Sequence, residues 1–102
     1  MPVTLQVVYP IGDESQFDFG YYLDTHMPLV AKHMGAHIQS TLVTRGVSGG
    51  GDRPAPFHAV ATIVFADQAA LDAALGASGP VLADIPNFTD SKPKILIGDV
   101  VG

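Results

Sequence analysis

The sequence contains no cysteine. That absence excludes disulfides and thiolate-bound metals, so a zinc or iron site would need histidine and carboxylate ligands. Positive charge is also scarce. Five Lys and Arg stand against ten Asp and Glu, for a formal net charge of −5. The cations Lys32, Arg45, Arg53, Lys92 and Lys94 are scattered and form no basic stripe. Neutralising phosphates requires such a stripe, so nucleic acid is not expected as a partner, and an anionic membrane surface is a poor one. No apolar run reaches the roughly 18 residues of a membrane span. The opening Met1-Pro2-Val3-Thr4-Leu5-Gln6 lacks the basic segment and apolar run of a signal peptide. The expected location is the cytoplasm.

What is present is a hydrophobic chain. Hydrophobic types make up 47% of 102 residues, which argues for a folded core and against disorder. A single domain spanning residues 1–102 is expected. Val3 to Tyr9 reads as a first strand, stopped by Pro10-Ile11-Gly12-Asp13. Asp18 offers an N-cap for a helix from Phe19 to Met34, with Gly35 as its stop. Ala36 to Val47 reads as a second strand, and the Gly- and Pro-rich stretch from Gly46 to Pro56 as a loop. Phe57 to Phe65 is a third strand. Asp67 caps a second helix, Gln68 to Leu75. Gly79 to Thr89 reads as a short helix and a turn at Pro86, and Lys94 to Val100 as the fourth strand. The order is β-α-β-β-α-β. It predicts an α+β, ferredoxin-like fold, an antiparallel sheet with both helices on one face.

Alternation along the strands assigns their faces. Val3, Leu5, Val7 and Tyr9 share one side of the first strand; Phe57, Ala59, Ala61, Ile63 and Phe65 share one side of the third. That apolar face should meet the helices. The opposite face carries Thr4, Gln6, Val8, His58, Val60, Thr62 and Val64. It is too apolar for a plain solvent face, and in so short a chain a covering sheet must come from a second copy.

The first helix carries the candidate chemistry. At steps of about 100° per residue, Phe19, Tyr22, Leu23, His26, Val30, His33 and Met34 fall on one stripe. His26 and Tyr22 thus face the sheet among hydrophobes, an imidazole and a phenol one turn apart that could handle a proton. The alternative is a core histidine bonded to a backbone carbonyl. Pro28 removes a helical hydrogen bond beside His26, so a kink or restart is expected there. Asp84-Ile85-Pro86-Asn87-Phe88-Thr89 places a carboxylate, an amide and an aromatic in one turn. His26, Tyr22 and Asp84 are the candidate catalytic residues. Phe19 and Val30 on the stripe, with Asn87 and Phe88 in the turn, are the candidate ligand contacts. His33 and His37 are separated by the expected helix stop, so no metal site is expected. Gly49-Gly50-Gly51 is no phosphate loop, because no Lys-Ser/Thr pair and no helix follow. His58 is a weak candidate on the mixed sheet face.

Several of these segments together resemble the EthD family. They are Tyr9-Pro10, then Phe17-Asp18-x-x-Tyr21-Tyr22-x-x-x-His26-x-Pro28-Leu29, the Gly-rich loop before the third strand, and Ala83 to Thr89. The resemblance implies a dimeric α/β barrel, in which two ferredoxin-like protomers close their sheets on each other as a homodimer. It also implies a small-molecule site between helices and sheet. The superfamily includes cofactor-free monooxygenases and muconolactone isomerases. The sequence has no Gly-x-Gly-x-x-Gly fingerprint and no haem-ligand pattern, so no cofactor is expected. Two functions follow, beside a third reading, a purely structural dimer whose His26 is only core. One is a cofactor-free isomerase or monooxygenase acting on a small apolar, phenolic or lactone compound in bacterial catabolism. The other is a non-catalytic binding or accessory protein using the same pocket.

Overall fold

The computed structural model describes residues 1–102. Strands β1 (Val3–Pro10), β2 (Ser40–Arg45), β3 (Phe57–Phe65) and β4 (Lys94–Asp99) form one antiparallel sheet in the order β2-β3-β1-β4. The first helical stretch is α1 (Phe19–Tyr21), a π-helical turn (Tyr22–His26) and α2 (Met27–Met34). After β3 come α3 (Gln68–Gly76) and α4 (Gly79–Asp84), and 3-10 turns at Gly35–His37 and Ile85–Asn87 extend α2 and α4. This is the expected ferredoxin-like α+β arrangement. Val3, Leu5, Ile63 and Phe65 of the sheet pack with Val30, Met34, Leu71, Ala74 and Val81 of the helices, so the helices share one face.

Side-chain alternation fixes that face. Val3, Leu5, Tyr9, Ala59, Ala61, Ile63 and Phe65 are buried, while Thr4, Gln6, Val8, Val60, Thr62 and Val64 between them are partly exposed. The outer face is held by cross-strand contacts such as Gln6 Nε2 donating to Thr62 Oγ1 at 3.2 Å. In register with those two residues stand Leu96 and Leu42, 59% and 65% exposed. Phe57, expected inside, is 38% exposed, because the β1–β3 register shifts between Tyr9 and Pro10.

Two expected boundaries differ. Gly35 does not stop the first helix. Its backbone is right-handed (φ −58°, ψ −31°), and the chain winds on through a 3-10 turn to His37. β2 therefore begins at Ser40, not Ala36. It ends at Arg45 because Gly46 lies against β3, where a Cβ would meet Phe57 O at 2.0 Å. Both acidic caps form: Asp18 Oδ1 accepts from Tyr21 N–H at 3.0 Å, and Asp67 Oδ1 from Ala70 N–H at 2.9 Å.

The expected break at Pro28 takes a specific form. Pro28 has no N–H to offer and its ring crowds the preceding turn. The preceding turn widens, and Met27 N–H bonds Tyr22 C=O, five residues back. The buried positions of the stretch become Tyr22, His26, Val30 and Met34, every fourth residue. Leu23, placed on the buried stripe by regular helical spacing, turns out to be 54% exposed.

Candidate active site

The wide turn brings two side chains to one carboxylate. Tyr21 and His26 are five residues apart, about 140° out of phase in a regular α-helix, but a turn closed over five residues brings them together. Tyr21 Oη donates to Asp84 Oδ1 at 2.6 Å, and His26 Nδ1 lies 3.0 Å from Asp84 Oδ2. Asn87, in the turn after α4, donates from Nδ2 to Asp84 Oδ1 at 2.9 Å. Short helix α4 and the 3-10 turn at Ile85–Asn87, with Pro86 inside it, fix Asp84 and Asn87 at this spacing.

The electrostatics follow from those bonds. The Tyr21 hydroxyl, then the Asn87 amide, then His26 hold the Asp84 carboxyl below the usual carboxylate range, against burial, which acts the other way. An ionised carboxylate only accepts, so the hydrogen on the His26–Asp84 contact sits on Nδ1. Nε2 is the nitrogen left for a ligand. Asp84 in turn raises Tyr21, its hydrogen bond to the phenol being the largest cause, and Asn87 acts the other way. Burial pushes Tyr22 up to about 12, so it is a neutral hydroxyl at physiological pH and not a base. Tyr9 is likewise raised by burial and by its neighbour Tyr22.

His26 is clamped between rings. Tyr22 stacks on it with centroids 5.3 Å apart and planes at 22°, and Phe88 packs at 4.5 Å. His26 also lines a cavity of about 100 Å³ between the first helical stretch, α4 and the sheet. Fourteen of the seventeen lining residues are hydrophobic, among them Leu5, Val7, Val30, Ala61, Ile63 and Val81. Tyr9 and Tyr22 are also lining residues.

A sequence profile of the EthD domain matches residues 13–92. The chain belongs to the EthD family. The crystal structure of an EthD-like protein from Ralstonia eutropha JMP134 is 31% identical and superposes with a TM-score of 0.90, covering 99% of this chain and 93% of that one. An ethyl tert-butyl ether D (EthD) family protein from Bacillus halodurans C-125 is 22% identical, with a TM-score of 0.73 and coverage of 99% and 100%. SnoaB, a cofactor-independent oxygenase from Streptomyces nogalater, shares 13% identity at a TM-score of 0.60, covering 98% of this chain and 95% of that one; at that distance the likeness is one of fold. No curated protein matches the chain.

Within this EthD domain the structure gathers some of the expected site residues and not others. His26, Tyr22 and Val30 line the cavity, and Asp84 stands behind His26. Phe88 supports the imidazole without lining the cavity, and Asn87 is exposed and supports Asp84. Phe19 lies outside the cavity, against Phe17 at 4.5 Å and under the Arg45 guanidinium at 4.7 Å. His58 is also elsewhere, bonded to Ser15 Oγ through Nε2 at 2.8 Å and stacked on Phe17. No group of three or more His, Asp or Glu is placed to hold a metal. Sequence reasoning missed Tyr21, Tyr9 and Ser78. Tyr21 falls off the helical stripe, and only the widened turn returns it to the site. Strand alternation puts Tyr9 on the apolar face with the core. Ser78 gave no signal; its hydroxyl donates to Leu75 C=O at 2.7 Å.

Proposed function

We propose that the protein is a cofactor-free enzyme that takes a proton from a small apolar compound, phenolic or lactone-like, bound between the first helix and the sheet. His26 Nε2 is the base. The observation that carries the reading is the His26–Asp84 pair set in the wall of an otherwise apolar cavity. Asp84 fixes the tautomer and orients the ring, and its charge stabilises the imidazolium once Nε2 has gained the proton. The un-ionised Tyr22 hydroxyl is a donor for the anion that forms on the substrate. That anion then regains a proton at another atom, an isomerisation, or reacts with dioxygen, an oxidation. The fold shared with a cofactor-independent oxygenase supports the second course.

The test is His26→Gln, which keeps volume and some hydrogen bonding and removes titration. Wild type and variant are compared against a panel of lactones and phenols, alongside thermal melts. The variant should fold, and turnover should fall by on the order of 100-fold or more. A variant that loses stability while its binding and turnover persist removes His26 from the site. Wild-type binding without turnover on any panel member selects the binding-protein reading instead.

A further inference from the structure

The cavity wall has a charge pattern that the reaction class alone does not dictate. Besides His26, the polar side chains among its lining residues are Ser78 and the un-ionised phenols Tyr9 and Tyr22. Ser78's hydroxyl is spent on Leu75 C=O. No Lys, Arg, Asp or Glu lines the space. The carboxylate paired with the lining residue His26 is negative, that of Asp84. Among the lining residues, Leu75, Leu82 and Ile95 are 37%, 53% and 56% exposed, so the part of the lining that reaches solvent through them is apolar too.

From this pattern we infer that the site selects an uncharged, single-ring compound whose one polar group, an acidic O–H or C–H, points inward at His26 Nε2. The inference rests on the base reading above and adds the substrate's charge and size. A carboxylate or phosphate entering the cavity would lose its hydration and find no cation, with the Asp84 carboxylate beyond the imidazole. An uncharged acid meets no such barrier. When it transfers its proton, the O–H or C–H bond breaks, an N–H bond forms at Nε2, and the electron pair stays on the ligand. Negative charge on the ligand therefore appears only as positive charge appears on the imidazole, and the total in the cavity does not change. The arrangement favours the transition state over any ligand that arrives already ionised. Size follows from volume. A void of about 150 Å³ holds a benzene ring, and this cavity of about 100 Å³ takes most of one, leaving the remainder against the exposed Leu75, Leu82 and Ile95. A second fused ring would stand in water.

The experiment uses two probes of one shape, p-cresol and p-toluate, titrated into the full-length protein at neutral pH. Calorimetry reads affinity, and the imidazole resonances of His26 read location. Binding of p-cresol should saturate and move the His26 resonances, and p-toluate should bind weaker by on the order of 100-fold or more. Equal affinity for the two probes, p-cresol binding that leaves His26 unmoved, or no p-cresol binding up to its solubility overturns the inference. His26→Gln separates this inference from the catalytic reading. It should keep the preference for p-cresol over p-toluate, which comes from the apolar wall. If that preference persists while the variant retains full turnover, the base reading has failed and the charge selectivity stands.

Discussion

Filling the cavity should stabilise the protein and silence it. Ala61 is buried on the inner face of β3, in register with Val7 of β1 and Val43 of β2, and lines the void. Ala61→Val adds two carbon groups, which the roughly 100 Å³ can receive. Burying them is worth about 0.8 kcal/mol each, or about 1.6 kcal/mol together. Ordering the new side chain and small adjustments of its neighbours reduce that, leaving a net gain of about 1 kcal/mol. A β-branched residue suits a strand, so no backbone penalty is expected. For a domain of this size such a gain raises Tm by roughly 4–8 °C. Thermal melts and urea unfolding with an unchanged m-value check the stability, and p-cresol titration checks the site. Binding should be lost as stability rises, because the added groups take the space the proposed ligand would fill. A fall in stability of about 1–3 kcal/mol, the usual cost of overpacking, would mean that no free space adjoins Ala61. A gain in stability with p-cresol affinity unchanged would place the ligand elsewhere.

Two further substitutions test the supports of the site and the assembly. Tyr21→Phe removes the largest cause of the low Asp84 pKa. A carboxyl depressed in the folded state contributes stability above its ordinary range and loses it as pH falls through the depressed value; without the hydroxyl that value rises, so the acid limb of the melting profile, and of turnover, should move to higher pH, and an unmoved limb refutes the role. The uncovered outer sheet face, with Val8, Val60 and Val64 partly exposed and Leu42 and Leu96 more than half exposed, should bring two copies together. Light scattering at micromolar concentration should read twice the 10.6 kDa chain mass, and Val60→Asp should weaken pairing and fold together; a stable wild-type monomer rules the pairing out.

Particular residues show which parts of this molecule were legible in the sequence. The strands were, because period-2 alternation is a local property. The span Phe57 to Phe65 and its buried set Ala59, Ala61, Ile63 and Phe65 follow directly from it. The acidic caps at Asp18 and Asp67 were legible for the same reason, as each bonds an N–H three residues on. The burial of His26 and Tyr22 was legible from helical spacing. The boundary at Gly35 was not, because a glycine adopts the right-handed backbone as readily as the left-handed one, and nothing in its neighbours decides between them. The partnership of His26 with Asp84 spans 58 residues of sequence, and that of Tyr21 with Asp84 spans 63. Contacts at that separation are made by the packing of α4 against the first helix, which no local pattern encodes.

One local feature nevertheless sets the geometry of the whole site. Pro28 contributes no atom to the cavity or to the Asp84 network, and its own side chain is exposed. Its effect passes through the backbone, where the missing N–H and the crowding ring favour a turn closed over five residues. Without that turn, Tyr21 and His26 would diverge by about 140°, and a single carboxylate could not serve both. With it, the two oxygens of Asp84 are divided: Oδ1 takes the Tyr21 hydroxyl and the Asn87 amide, and Oδ2 is left to His26. The first pair of bonds keeps the carboxyl ionised, and the ionised carboxyl fixes which imidazole nitrogen carries the hydrogen. Nε2 is then the nitrogen left over on an imidazole that lines the cavity. The Asp84 network is therefore closed by Tyr21, Asn87 and His26, and of these four residues only His26 lines the cavity.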